Sequence, residues 1–172
     1  MNTKLPMVLS AIVLTAASVI AAPDVKGARK GVWTQDFDAA LSAAKAESAP
    51  LLINFTGSDW CGWCKLMDRK VFSTKQWKEW APGHIFLAFI DFPQNGKLVP
   101  KKYVARNDKL AKEYGIRGYP TYIVIDAATS TKIGQLGASR DATPEDFIAK
   151  LEAIIKPAVE QLAPATADTK AE

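Results

Sequence analysis

The sequence predicts an α/β domain in which a mixed central sheet carries helices on both faces. Short apolar runs of strand length, at 51–55, 85–92 and 121–126, alternate with stretches whose apolar residues recur at three- and four-residue steps. The first two runs are apolar without alternation, as parallel strands covered on both faces must be. The third is followed by a turn and a further strand over 132–136, so the last two strands read as a hairpin and the sheet as mixed.

The first 22 residues read as a signal peptide. Lys4 supplies a positive start, an apolar segment follows from Leu5 to about Ala17, and small residues run up to Ala22 before Pro23. The apolar stretch is at the short end of what a membrane-spanning helix needs, so export is favoured over an anchor. Of the 172 residues, 150 remain after Ala22, enough for one domain over 23–162 with a disordered tail over 163–172. The formal charge of +4 falls to +3 when Lys4 leaves with the leader. So mild an excess, with no basic stripe interleaved with aromatics, gives no support to a nucleic-acid partner.

The elements follow in order. Phe37, Leu41 and Ala44 give a first helix from about Asp36, with Trp33 upstream placed to pack under it or at an edge. Pro50 ends that pattern and the strand 51–55 begins. Residues 56–59 are a turn, and a helix runs from Cys61 to about Val71. Ser73-Thr74-Lys75-Gln76 resembles a capping box for a second short helix, ending near Ala81 before Pro82-Gly83. After the strand 85–92 comes a polar loop, then a helix with Pro100 in its first turn and Gly115 as its left-handed stop. Thr143-Pro144-Glu145-Asp146 combines a cap, a first-turn proline and acids at the positive end of the last helix, where Pro157 marks a kink or stop.

The chemistry concentrates at Trp60-Cys61-Gly62-Trp63-Cys64-Lys65, which holds both cysteines of the chain. Two cysteines three apart, where a strand hands over to a helix, suit a redox pair. Cys61 lies at the helix N-terminus, where unpaired N–H groups and the helix dipole favour a thiolate. Cys64 is almost one turn on, within reach of a sulfur held on Cys61. Gly62 and Trp63 set the turn and the polarity over the sulfur. The competing readings are a structural disulfide and a soft-metal site with Cys61 and Cys64 as copper ligands. A closed four-ligand zinc site lacks ligands, because the chain has two cysteines and one histidine, His84. The cofactor expected is therefore none beyond the Cys61–Cys64 pair itself.

Three stretches carry a resemblance to the thioredoxin superfamily, and within it to exported thioredoxin-like proteins. They are Asn54-Phe55-Thr56-Gly57-Ser58-Asp59-Trp60-Cys61-Gly62-Trp63-Cys64-Lys65, then Tyr114-Gly115-Ile116-Arg117-Gly118-Tyr119-Pro120-Thr121, then Gly134-Gln135-Leu136-Gly137. They occur in the family's order, and the likeness spans roughly Trp33 to Leu162. It implies the thioredoxin fold, Cys61 as attacking and Cys64 as resolving thiol, and Pro120 as a cis-proline against the pair. It also implies that Tyr119, Trp60 and Trp63 border a partner groove, with Trp63 partly exposed.

Two departures from the family pattern stand out. Asn54 occupies the position nearest a buried aspartate that helps deprotonate the resolving cysteine, with one extra residue in the turn. Asparagine cannot take up a proton, so either water or Asp59 helps or exchange is tuned differently. Trp63 stands where the cytosolic pattern has proline, which leaves room for a less reducing pair. The segment from Pro93 to Asn107 is longer than the minimal connection, and its Lys97, Lys101, Lys102 and Arg106 read as a solvated face.

The function implied is thiol–disulfide exchange with exported, cysteine-containing proteins in the periplasm or outside the cell. The reductase or electron-carrier direction is favoured over a disulfide-donating oxidase, and a copper-binding or maturation module is the alternative from another class. The natural electron donor is a membrane thiol reductase. With no recognisable dimerisation segment, the chain is expected to be a monomer.

Overall fold

The computed structural model describes residues 27–162, so the leader at 1–22 and the tail at 163–172 lie outside the described residues. The elements are β1 (Trp33–Thr34), α1 (Phe37–Ala46), β2 (Pro50–Thr56), α2 (Gly62–Met67), a π turn (Asp68–Phe72), α3 (Lys75–His84) and β3 (Phe86–Asp91). A 3-10 turn (Gly96–Leu98), α4 (Lys101–Glu113), β4 (Thr121–Asp126), β5 (Thr131–Gly137) and α5 (Pro144–Leu162) complete the chain. The five strands form one sheet in the order β1-β3-β2-β4-β5. β2 lies at its centre, parallel to β3 and antiparallel to β4, while β4 and β5 pair as an antiparallel hairpin. The sheet is mixed and helices cover both faces.

The period of two along β2 divides its side chains between two cores. Leu51, Ile53 and Phe55 join Phe37, Ala40 and Leu110 on the face covered by α1 and α4. Leu52 points the other way, among Met67, Phe72, Trp77 and Phe147 from α2, the π turn, α3 and α5. Asn54 shares the parity of Leu52, and so lies on the side of the sheet that carries α2.

Several local expectations change. Trp33 belongs to a short edge strand on β3 and packs edge-on against Phe72 and Phe89, on the face opposite α1. The helix begun at Cys61 widens into the π turn, where both Val71 and Phe72 are buried. The cap of α3 is Thr74 rather than Ser73: its hydroxyl accepts from Trp77 N–H at 3.3 Å. That helix also runs past Pro82 to His84, and Ile85 N–H still reaches Ala81 O at 3.1 Å. α5 likewise continues through Pro157, and the carbonyl that loses its partner, on Ala153, belongs to an exposed residue. Where a side chain would obstruct, glycine is needed: a Cβ on Gly134 would lie 2.6 Å from Ile154, so α5 packs directly on the β5 backbone.

α4 ends as its sequence predicts. Gly115 has φ +63, and Ile116 N–H and Gly115 N–H return to Ala111 O and Lys112 O. The basic residues before it do not form one solvated face. Arg106 is half-buried over the Tyr103 ring, with Nη2 donating to Gln35 O at 2.6 Å.

Candidate active site

β2 delivers the chain into a tight turn, in which Trp60 and Cys61 N–H both point back to Gly57 O. Cys61 is the N-cap of α2: its sulfur accepts from Cys64 N–H at 3.1 Å and its carbonyl from Lys65 N–H at 3.1 Å. Cys61 and Cys64 are joined in a disulfide with Cα atoms 5.2 Å apart. Both are buried, at 5% and 7% exposure, while Trp60 and Trp63 beside them are 44% and 45% exposed. The Tyr119–Pro120 peptide bond is cis.

Three consecutive residues fasten this turn to the end of β3 and the loop after it. Ser58 donates its N–H to Asp91 Oδ1 at 2.9 Å and its hydroxyl to Oδ2 at 2.6 Å. The Asp59 carboxylate accepts from Gln94 and Asn95 N–H at 3.0 and 2.8 Å. Trp60 Nε1 donates to Phe92 O at 2.8 Å. The N–H of Asn95, assisted by that of Gln94, holds the Asp59 carboxyl below the usual carboxylate range. Asp59 is thus an anchor for the loop.

Trp60 meets Tyr119 edge-on at 5.8 Å, and Tyr119 stacks on Phe92 at 5.3 Å. Burial, with Asp108 adding to it, pushes the Tyr119 phenol up and keeps it neutral. Trp63 lies under the Arg140 guanidinium at 5.7 Å, and Lys70 Nζ holds the Arg140 carbonyl at 2.8 Å. Gly62 starts α2 with open space where a Cβ would be. Two exposed indoles therefore flank the buried disulfide, one leaning on Tyr119 and the other on Arg140.

A cavity of about 550 Å³ adjoins Cys64 but not Cys61. Trp33, Phe72 and Phe89 form its apolar wall, and Asn54, Thr56 and Ser58 its polar floor. Lys65, Asp68 and Arg69, all exposed, stand at its mouth. Asn54 is 6% exposed, and its Oδ1 is buried with no hydrogen-bond partner.

The family model of the thioredoxin-like domain matches residues 37–155. The chain belongs to the thioredoxin-like family. A curated protein named "Disulfide bond reductase DsbH", from Chlamydia pneumoniae, is 32% identical over 93 residues, covering 54% of this chain and 55% of that protein. The chain thus spans about half the length of the curated relative it matches. A solved structure titled "DsbH Oxidoreductase" superposes with a TM-score of 0.67 at 26% identity, covering 86% of this chain and 95% of that one. A thioredoxin from Thermus thermophilus shares the fold, with a TM-score of 0.55 at 21% identity over 72% and 85% of the two chains. This thioredoxin-like domain holds its cysteine pair in the arrangement that thiol–disulfide exchange requires.

Among the described residues, no three His, Cys, Asp or Glu side chains form a group able to hold a metal ion. His84 stacks on Trp80 at the end of α3. The sequence reading did not find Ser58, Asp91, Phe92, Arg140 or the aromatic wall of the cavity as parts of the site. Asp91 left one trace, as a carboxylate closing an otherwise apolar strand.

Proposed function

We propose that this chain is a thiol–disulfide oxidoreductase that reduces disulfides in exported proteins. The observation that carries the reading is the Cys61–Cys64 disulfide at the N-terminus of α2, buried between two exposed indoles. The relative named as a disulfide bond reductase supports the direction. In the reduced protein the Cys61 thiolate attacks one sulfur of a partner disulfide and expels the other as a thiolate. Cys64 then attacks Cys61 Sγ, the second partner sulfur leaves, and the Cys61–Cys64 bond re-forms. Two electrons pass to the partner.

Trp60, Trp63, Tyr119 and Pro120 border the groove for the partner segment, and Gly62 keeps its approach open. Asn54 serves the resolving cysteine, while Asp59 fixes the turn. The leader places the protein in the periplasm or outside the cell, and a membrane thiol reductase supplies electrons. Equilibration of the pair with a dithiothreitol or glutathione buffer tests the direction. A potential of about −250 mV or lower fits a reductant, whereas about −150 mV or higher would make the chain a disulfide donor. Replacing Cys64 with serine should leave Cys61 in mixed disulfides with exported proteins, and their absence would remove the exchange reading.

A further inference from the structure

Resolution by Cys64 requires its thiol to lose a proton, and Cys64 is buried. The cavity beside it offers a path. Its 550 Å³ is roomy for several waters, and the polar side chains of Asn54, Thr56 and Ser58 line its floor. The strands contribute only neutral side chains to its walls. The ionisable ones all come from the helical side: Lys65, Asp68 and Arg69.

Of these, one can accept a proton. Arg69 and Lys65 have no acceptor, and Lys65 Nζ already donates to Asp59 O at 2.6 Å. Asp68 is four residues after Cys64, one helical turn along the same face, and its N–H bonds Cys64 O. Its Oδ2 accepts from Ser73 Oγ at 3.1 Å, which leaves Oδ1 available. The other carboxylates nearby do not line the cavity: Asp91 is held by Ser58 and Asp59 by the loop after β3.

We infer that Asp68 is the proton acceptor for Cys64, acting through cavity water held by Asn54. This rests on the exchange reading above. The Cys64 thiol gives its proton to the water, and the water gives one of its own to the Asp68 carboxylate. The Cys64 thiolate then attacks Cys61 Sγ and releases the partner sulfur, which is protonated from solvent. Asp68 returns its proton to solvent at the cavity mouth. The acceptor stands at the end of α2, across the cavity lining from Asn54 on the sheet.

The test is stopped-flow reaction of the fully reduced protein with 5,5′-dithiobis(2-nitrobenzoate) between pH 5.5 and 8. The first thionitrobenzoate released reports attack by Cys61, and the second reports resolution by Cys64. Asp68→Asn should slow the second release by about 10-fold or more below pH 7, as loss of a general base does, and leave the first within about twofold. Asp68→Glu should keep the wild-type pH profile. A merely electrostatic role has the opposite sign, because removing a negative charge favours the Cys64 thiolate and speeds resolution. An Asp68→Asn second release that is unchanged or faster overturns the inference, as does an Asp68→Glu profile as depressed as that of Asp68→Asn. If the wild-type protein releases no thionitrobenzoate at all, the exchange reading itself falls.

Discussion

Gly57 is the residue on which the placement of Trp60 depends. A Cβ at Gly57 would lie 2.4 Å from Trp60 Cε2 and 2.6 Å from its Nε1, so Gly57→Ala must push the indole aside. Two contacts are then lost: the bond from Nε1 to Phe92 O and the edge-on contact with Tyr119. A net hydrogen bond contributes about 1 kcal/mol, and an aromatic pair about 0.5–1.5 kcal/mol. The expected loss is about 1.5–2.5 kcal/mol, at the lower end because Trp60 is 44% exposed. Urea denaturation of four proteins, wild type, Gly57→Ala, Trp60→Ala and the double variant, measures it as a thermodynamic cycle. In the Trp60→Ala background the added methyl meets no ring, so Gly57→Ala should there cost less than about 0.5 kcal/mol. An equal cost in both backgrounds would place the requirement for glycine in the backbone and refute the steric argument.

Three further outcomes are expected. Ser58→Ala removes the 2.6 Å hydroxyl bond to Asp91 but keeps the N–H bond, and should lower stability in urea by about 1.5–3 kcal/mol, the range for a bond to a charged group. Asp91→Ala, which strands both donors, should cost more. The lowered pKa of Asp59 means that its bonds to Gln94 and Asn95 contribute fully above the ordinary carboxylate value near 3.9 and are lost as pH falls through its lower folded value. The amide resonances of Gln94 and Asn95 should therefore titrate together below pH 3.9, and a midpoint above it would contradict the hydrogen-bond assignment.

Apolar runs were sufficient to place β2, β3 and β4, because a strand buried on both faces cannot be polar. β1 was not legible: two residues at a sheet edge carry no period, and Trp33 reads equally as an edge or a helix-packing aromatic. The α3 cap was displaced by one because Ser73 and Thr74 both offer a hydroxyl, and geometry alone selects Thr74. The cysteine pair and its helix were legible since their chemistry is local. The partners that hold the turn were not, as Ser58 and Asp91 are separated by 33 positions. Asn54 was recognised as a departure, but its missing hydrogen-bond partner and the cavity beside Cys64 depend on the packing of Trp33, Phe72 and Phe89 from three separate elements. Asp59 looked like a candidate proton acceptor by proximity in sequence; its hold on the backbone of the loop after β3 could not be read there, because the donors lie 35 and 36 positions away.

The fastening of residues 58, 59 and 60 to β3 and its following loop bears on what happens when the sulfur–sulfur bond opens. The cross-link closes a loop too short to restrict the chain much on its own. Because the turn is already held from the β3 side and α2 by its buried Met67, breaking that bond is expected to release no segment. Oxidised and reduced forms are therefore expected to share one backbone, with little structural reorganisation on electron transfer. The poise of the pair is left to the groups around each sulfur, so a change of a single neighbouring side chain can retune it without refolding anything.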